Sequence, residues 1–215
     1  MAVLDRTTID TQSFLDQATV FIVDDDADVR KAISILACSV DLNVEAFSSG
    51  QEFLDHYNPE TPGCLILDVR MPGMSGLELQ ERLVEQGSPL PIIMVSAHAE
   101  LSVATQAMRT GAIDFIQKPY SPQLLLERIH EAIKLDAAAR RKLSQHADIA
   151  RRVSQLSDRE REIMQLLAQG LSTKKIATAL NISPKTVDNH RASILDKMQV
   201  ENVAELVRLV INHIN

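Results

Sequence analysis

The side chains here that could do chemistry stand directly behind short apolar runs. Cys64-Leu-Ile-Leu ends in Asp68, and Val-Arg70-Met-Pro-Gly-Met-Ser-Gly76 turns the chain at once. Val20-Phe-Ile-Val23 ends in Asp24-Asp25-Asp26, Ile92 to Val95 ends in Ser96, and Phe115-Ile-Gln117 ends in Lys118-Pro119. An apolar run closed by a turn reads as a buried strand, and the carboxyl edge of an open α/β sheet is where sites form. Clustered carboxylates repel one another, and a divalent cation relieves that penalty. Magnesium suits the task, because it prefers oxygen ligands and combines one or two carboxylates with water and phosphate oxygens. Asp24, Asp25 and Asp68 would serve it. An aspartate can also act as a nucleophile toward phosphorus. Lys118 would offset the charge on a transferred phosphoryl group, and Ser96 could donate its hydroxyl to it. Taken singly, an acid after a strand often only caps the next helix, as Asp26 or Asp28 could. Four strand ends with complementary groups point instead to Mg²⁺ binding and phosphoryl capture on Asp68.

Five strands must position these groups: Val20–Val23, Val44–Phe47, Cys64–Leu67, Ile92–Val95 and Phe115–Ile116. Helical patterns lie between them near Ala27–Ser39, Gly50–Tyr57, Ser75–Gln86 and Leu101–Thr110. Alternating strands and helices predict a parallel sheet covered on both faces, in the flavodoxin-like doubly wound order. From Pro122 the pattern is helical, with Leu124, Leu125, Ile129 and Ile133 on one face, and neither Pro nor Gly occurs in 123–152. One helix therefore closes the first domain and continues as a linker through 153. Leu135, Ala139, Ile149, Val153 and Leu156 form a seam that suggests helix pairing, interrupted by Lys142 and His146.

Beyond Ser157 the chain reads as all-helical. Ser157 and Glu160 suggest a capping box, and Gly170 ends the helix they start. A short helix over Thr173–Leu180, a tight turn at Asn181-Ile-Ser183 and a third helix opened by Ser183 and Pro184 make a helix-turn-helix. A fourth helix follows over Asn202–Ile214. Thr173, Lys174, Lys175, Lys185, Thr186, Arg191 and Lys197 offer donors for phosphates. The face opposite Val187 and Ile194 carries Lys185, Asp188, Asn189 and Ala192, and Asn can read adenine while a carboxylate accepts from cytosine.

Bulk properties agree with two domains. Residues 1–120 hold 7 Lys/Arg against 18 Asp/Glu, while residues 158–215 hold 8 against 7. The halves therefore face different partners, although the basic excess is too small to argue for nucleic acid alone. Apolar residues make up 45% of the 215, enough for ordinary cores. No apolar run reaches the roughly 18 residues of a membrane span, and no signal peptide is evident. Residues 1–18 read as a flexible lead. Cys38 and Cys64 lack metal-ligand spacing and read as packed free thiols of a reducing cytoplasm.

Residues 20–120 resemble the receiver domain of bacterial two-component response regulators, through Ile22-Val-Asp24-Asp25-Asp26, Leu67-Asp68-Val-Arg-Met-Pro-Gly-Met-Ser-Gly76, Val95-Ser96-Ala97 and Gly111-Ala-Ile-Asp-Phe115-Ile-Gln-Lys118-Pro119. The resemblance implies that Asp68 takes phosphate from a phosphohistidine on a sensor histidine kinase. Asp25, Asp68 and the Arg70 backbone carbonyl would ligate Mg²⁺, with Asp24 acting through water. Lys118 would pair with the phosphoryl group, before a peptide bond to Pro119 that is usually cis. Ser96 and Phe115 match the family's switch pair, where Thr and Tyr are commoner.

Residues 154–213 resemble the LuxR-type DNA-binding domain, through Leu156-Ser-Asp-Arg-Glu160, Gly170-Leu-Ser-Thr-Lys174-Lys-Ile176-Ala177 and Ser183-Pro-Lys-Thr186-Val187-Asp-Asn-His190-Arg191. That implies a four-helix domain whose third helix reads double-stranded DNA through Asp188, Asn189 and Ala192, with His190 at a family position. Asp188 and Ala192 depart from the lysine of some members, so a target sequence does not carry over. Both halves together match the NarL/FixJ type of response regulator. The expectation is a non-enzymatic, cytoplasmic, phosphorylation-controlled transcription regulator that dimerises on paired half-sites. RNA polymerase is a further partner that this class allows. The rival readings are a phosphorelay or protein-binding receiver whose DNA domain acts independently of phosphate, and an autonomous phosphatase. Val69 and Arg70 stand where a second acid would serve the latter.

Overall fold

The computed structural model describes residues 17–98 and 100–213, without the side chains of 211–213. Of the lead read over 1–18 only Gln17 and Ala18 are described, and Ala18 is buried core. Ile214, taken as the last helix's end, lies outside the described residues.

Five strands, β1 (Thr19–Val23), β2 (Asn43–Phe47), β3 (Gly63–Asp68), β4 (Ile92–Ser96) and β5 (Asp114–Gln117), pair in parallel in the order β2-β1-β3-β4-β5. Every residue of β1, β3 and β4 is buried. Parallel strands covered on both faces need such unbroken apolar runs. Alternate residues feed two cores. Val20, Ile22, Ile66, Ile93 and Val95 face one way, against α1 (Ala27–Cys38) and the first turns of α5 (Pro122–Ser154). Phe21, Val23, Leu65, Leu67 and Met94 face the other way, against α2 (Gly50–His56), α3 (Gly76–Glu85) and α4 (Leu101–Arg109). Strand order reverses between β1 and β3, so their carboxyl ends open a crevice where Asp24 and Asp68 stand.

The chain divides into two compact units, the first ending at Arg140 and the second beginning at Arg141. This division falls inside the stretch 122–153 read as final helix plus linker. In the second unit α6 (Asp158–Ala168), α7 (Thr173–Ala179), α8 (Pro184–Met198) and α9 (Val203–His213) surround Leu156, Ile163, Ile176, Val187, Ile194, Met198 and Leu206. Ser157 and Glu160 form the capping box, Ser183 caps α8, and Pro184 opens it. Asn181 holds a φ of 52° in the turn between α7 and α8.

Two expectations fail. The seam is split: Ile149 and Leu156 are buried and Val153 packs on the second core, while Leu135 stays 53% exposed, so its five members do not form one continuous outward stripe. Cys38 is exposed rather than packed, because the buried face of α1 runs through Ile33 and Ala37. Cys64 is buried, and desolvation pushes its thiol far above the usual range.

Candidate functional site: an acidic crevice and a helix-turn-helix

In the crevice, β3 ends on Asp68 and β1 delivers Asp24, both buried. The Lys118 ammonium follows β5 and bridges them, at 2.7 Å from Asp24 Oδ2 and 2.7 Å from Asp68 Oδ1. Burial pushes the Lys118 pKa down, but its hydrogen bonds to Asp24 and Asp68 and their charges outweigh that, and the net shift is upward. The lysine is thus a held cation, and it offsets the repulsion of two desolvated acids. The Arg70 amide donates to Asp68 Oδ2 at 2.7 Å, so protein donors engage both carboxylate oxygens. The Asp26 amide donates to Asp24 Oδ1 at 2.9 Å. Asp26 itself caps α1, accepting from the Asp28 and Val29 amides. The Lys118–Pro119 peptide is cis.

Gly76 explains the close of the turn after Asp68. A Cβ there would lie 2.1 Å from the Asp68 carbonyl oxygen, so only glycine lets α3 begin against the strand end. Asp25 is exposed beside Asp24, and the Arg70 side chain is exposed and paired with Glu100. Among the described residues no group of three or more His, Cys, Asp or Glu could hold a metal ion by itself. Magnesium needs only one or two carboxylates and completes its shell with water and phosphate, so this hard-oxygen donor set still suits it. The Ser96 hydroxyl is buried. It donates to the His98 carbonyl at 3.1 Å and accepts from the His98 amide at 3.2 Å. Phe115 is half-buried on the α2–α3–α4 face of the sheet.

In the second unit, Val187, Ile194 and Met198 are the buried residues of α8. Lys185, Asp188, Asn189 and Ala192 lie exposed at helical spacing on the other side. Thr186 is tied into the Ser183 cap, and its hydroxyl lies 2.8 Å from Ser183 Oγ. His190 and Arg191 are half-buried. On α7, Lys174 is exposed and Thr173 donates to Asp188 Oδ1 at 3.4 Å, so this base-facing candidate is held by a neighbour. Lys197 differs from the other donors. Its ammonium lies 2.7 Å from Glu160 Oε2, inside the domain.

Two polar positions escaped the sequence reading. Asp136 has no exposure. Its carboxylate accepts from the Gly63 amide at 2.8 Å and from Arg140 Nε. Arg140 in turn donates to the carbonyls of Pro59, Glu60 and Thr61. An acid continuing the apolar rhythm of Leu125, Ile129 and Ile133, with an Arg four residues on, was the available signal. Glu160 was legible only as a cap.

Residues 20–130 match the family described as response regulator receiver domain, and residues 154–210 match that described as bacterial regulatory proteins, luxR family. The chain is 40% identical over 190 residues to the transcriptional regulatory protein FixJ of Bradyrhizobium diazoefficiens, covering 88% of this chain and 93% of FixJ. It is 41% identical over 193 residues to the response regulator protein TmoT of Ectopseudomonas mendocina, covering 90% and 88%. The solved structure of the response regulator StyR superposes with a TM-score of 0.85 at 41% identity, covering 91% of this chain and 99% of that one. A lysine-bridged acid pair at the sheet's switch point, a helix-turn-helix beyond it and relatives matched along nearly their whole length place the chain among the two-component response regulators that join a receiver to a LuxR-type DNA-binding domain, the NarL/FixJ type.

Proposed function

We propose that phosphorylation of Asp68 by a sensor histidine kinase controls dimerisation and sequence-specific DNA binding, and through them transcription. The observation that carries this is the Lys118 bridge between Asp24 and Asp68. It leaves a cation already placed where a phosphoryl group on Asp68 would gather negative charge. An Asp68 carboxylate oxygen attacks phosphorus, the new O–P bond forms, and the N–P bond of phosphohistidine breaks with its electron pair left on the imidazole. Lys118 then exchanges a carboxylate for phosphoryl oxygens. Mg²⁺ held by Asp25, Asp68 and the Arg70 carbonyl, with Asp24 through water, would supply further charge neutralisation. Ser96 and Phe115 couple that charge to α4 and β5, which carry the dimer surface. Exposed Leu101 and Met108 on α4 suit that role. Two paired domains then engage two half-sites and gain effective concentration. Thr173, Lys174, Lys185, Thr186, His190 and Arg191 serve phosphates or frame them, and Asp188, Asn189 and Ala192 face bases. The workplace is the cytoplasm, with RNA polymerase as the downstream partner. No helix among the described residues is long and apolar enough to cross a membrane.

The test sequences genomic fragments retained by the purified protein, with and without acetyl phosphate and Mg²⁺, beside Asp68→Asn. A paired-site motif enriched only with phosphate, and absent with Asp68→Asn, is the expected result. Equal enrichment in every sample would overturn the phosphate control.

A further inference from the structure

The two helices of the helix-turn-helix are held from one place. Arg159 and Glu160, consecutive residues in the first turn of α6, each reach one of them. Arg159 Nη2 donates to the Leu180 carbonyl at 2.8 Å, where α7 ends. The Glu160 carboxylate reaches α8. Its Oε1 accepts from Ser193 Oγ at 2.6 Å, and its Oε2 accepts from Lys197 Nζ at 2.7 Å and from the Ser157 amide at 2.8 Å. Ser193 and Lys197 sit one turn apart on α8, so one carboxylate grips two successive turns.

Otherwise α8 packs through Val187, Ile194 and Met198, with a long Thr173–Asp188 hydrogen bond of 3.4 Å near its exposed start and Arg152 at the Met198 carbonyl that ends it. Apolar packing is non-directional and by itself tolerates small rotation and sliding. Hydrogen bonds to a carboxylate that is only 4% exposed do not. We infer that Glu160 is a positioning residue for DNA recognition. Through Ser193 and Lys197 it fixes the rotation and register of α8, and with them the direction of Lys185, Asp188, Asn189 and Ala192. Lys197 is therefore an internal strut and not a phosphate contact. If its ammonium left for DNA, a buried carboxylate would lose the cation that balances it. The inference rests on the reading of α8 as the recognition helix.

The test uses the full chain treated with acetyl phosphate and Mg²⁺, and two duplexes: the motif enriched by the wild type, and a scrambled one. Lys197→Met, Glu160→Gln and the double variant are titrated over a range of KCl, with circular-dichroism melts to check folding. Lys197→Met is expected to lose roughly tenfold in preference for the motif while the slope of log affinity against log salt stays that of wild type. The double variant, with no unpaired charge left, recovers part of the preference. A slope reduced by about 0.9 for Lys197→Met on both duplexes, with Glu160→Gln binding like wild type, would make Lys197 a phosphate contact and overturn the assignment. Hydrogen exchange supplies a readout without DNA. Amides over 193–198 exchange faster in Glu160→Gln if the strut holds α8, and unchanged exchange overturns it. A wild type that prefers no duplex while these amides loosen in the variant sinks the DNA reading alone.

Discussion

Asp68 is engaged from three sides: the Lys118 ammonium meets one oxygen, the Arg70 amide meets the other, and Gly76 packs against its carbonyl. The third constraint is the least forgiving, because the atom that an added Cβ would strike belongs to backbone. Gly76→Ala should displace Asp68 and slow phosphate uptake from acetyl phosphate on the order of a hundredfold, read by intact-mass spectrometry. Uptake at the wild-type rate would mean that the turn absorbs the methyl group. Glu160 makes a different prediction at the same scale. The Lys197 hydrogen bond, then Ser193, hold its carboxyl down to about 2 from 4.5 against the opposing effect of burial. A folded pKa below the unfolded one stabilises above the unfolded value and is lost as pH falls through the folded one. The gap in stability between wild type and Glu160→Gln should therefore be full above pH 4.5 and close as pH falls toward 2, measured by denaturant unfolding. A constant gap would assign the loss to packing alone.

At the scale of elements, α5 is pinned by Asp–Arg pairs at i,i+4 spacing. Asp136–Arg140 fastens it to the 59–63 segment of the first unit. Asp148–Arg152 fastens it within the second unit, where Arg152 donates to the Met198 carbonyl that ends α8. Burial pushes the Asp136 pKa up, partly countered by the Gly63 amide and Arg140. Arg140→Ala strands this buried carboxylate and should cost about 3–5 kcal/mol of first-unit stability, while Asp136→Leu with Arg140→Leu should recover much of it. Thermal melts of the full chain decide this, and a near-neutral Arg140→Ala would show that water replaces the guanidinium. The strands and helices themselves were readable within a residue or two. Buried parallel strands carry unbroken apolar runs, and Asp26, Ser49, Ser75, Ser157 and Ser183 cap helices locally. The linker seam was less legible, because helical periodicity reports an apolar face and not what covers it: Ile149 is buried and Leu135 is exposed.

Across the whole molecule, the stretch of α5 from 141 to 147 is exposed at every residue. Trypsin should cut first after Arg141 or Lys142 and release two fragments that each keep their protected amides in hydrogen exchange. First cuts inside either unit would place the joint elsewhere. Leu101, 83% exposed on α4, belongs to the same scale, because the proposed dimer surface would cover it. Leu101→Asp should abolish phosphate-dependent dimers in analytical ultracentrifugation while leaving phosphate uptake intact, and persistent dimers would move the interface off α4. The sequence by itself determined which side chains stand at the carboxyl edge of the sheet and which row α8 turns outward. Strand ends, turns and helical faces are written in neighbours a few residues apart. The tertiary structure alone decided that Lys118 joins Asp24 to Asp68, that Asp136 meets an amide 73 residues away, and that Lys197 belongs to Glu160. Partners brought together by folding over such distances leave no mark in local periodicity, and a buried charge takes whichever opposite charge the packed elements deliver.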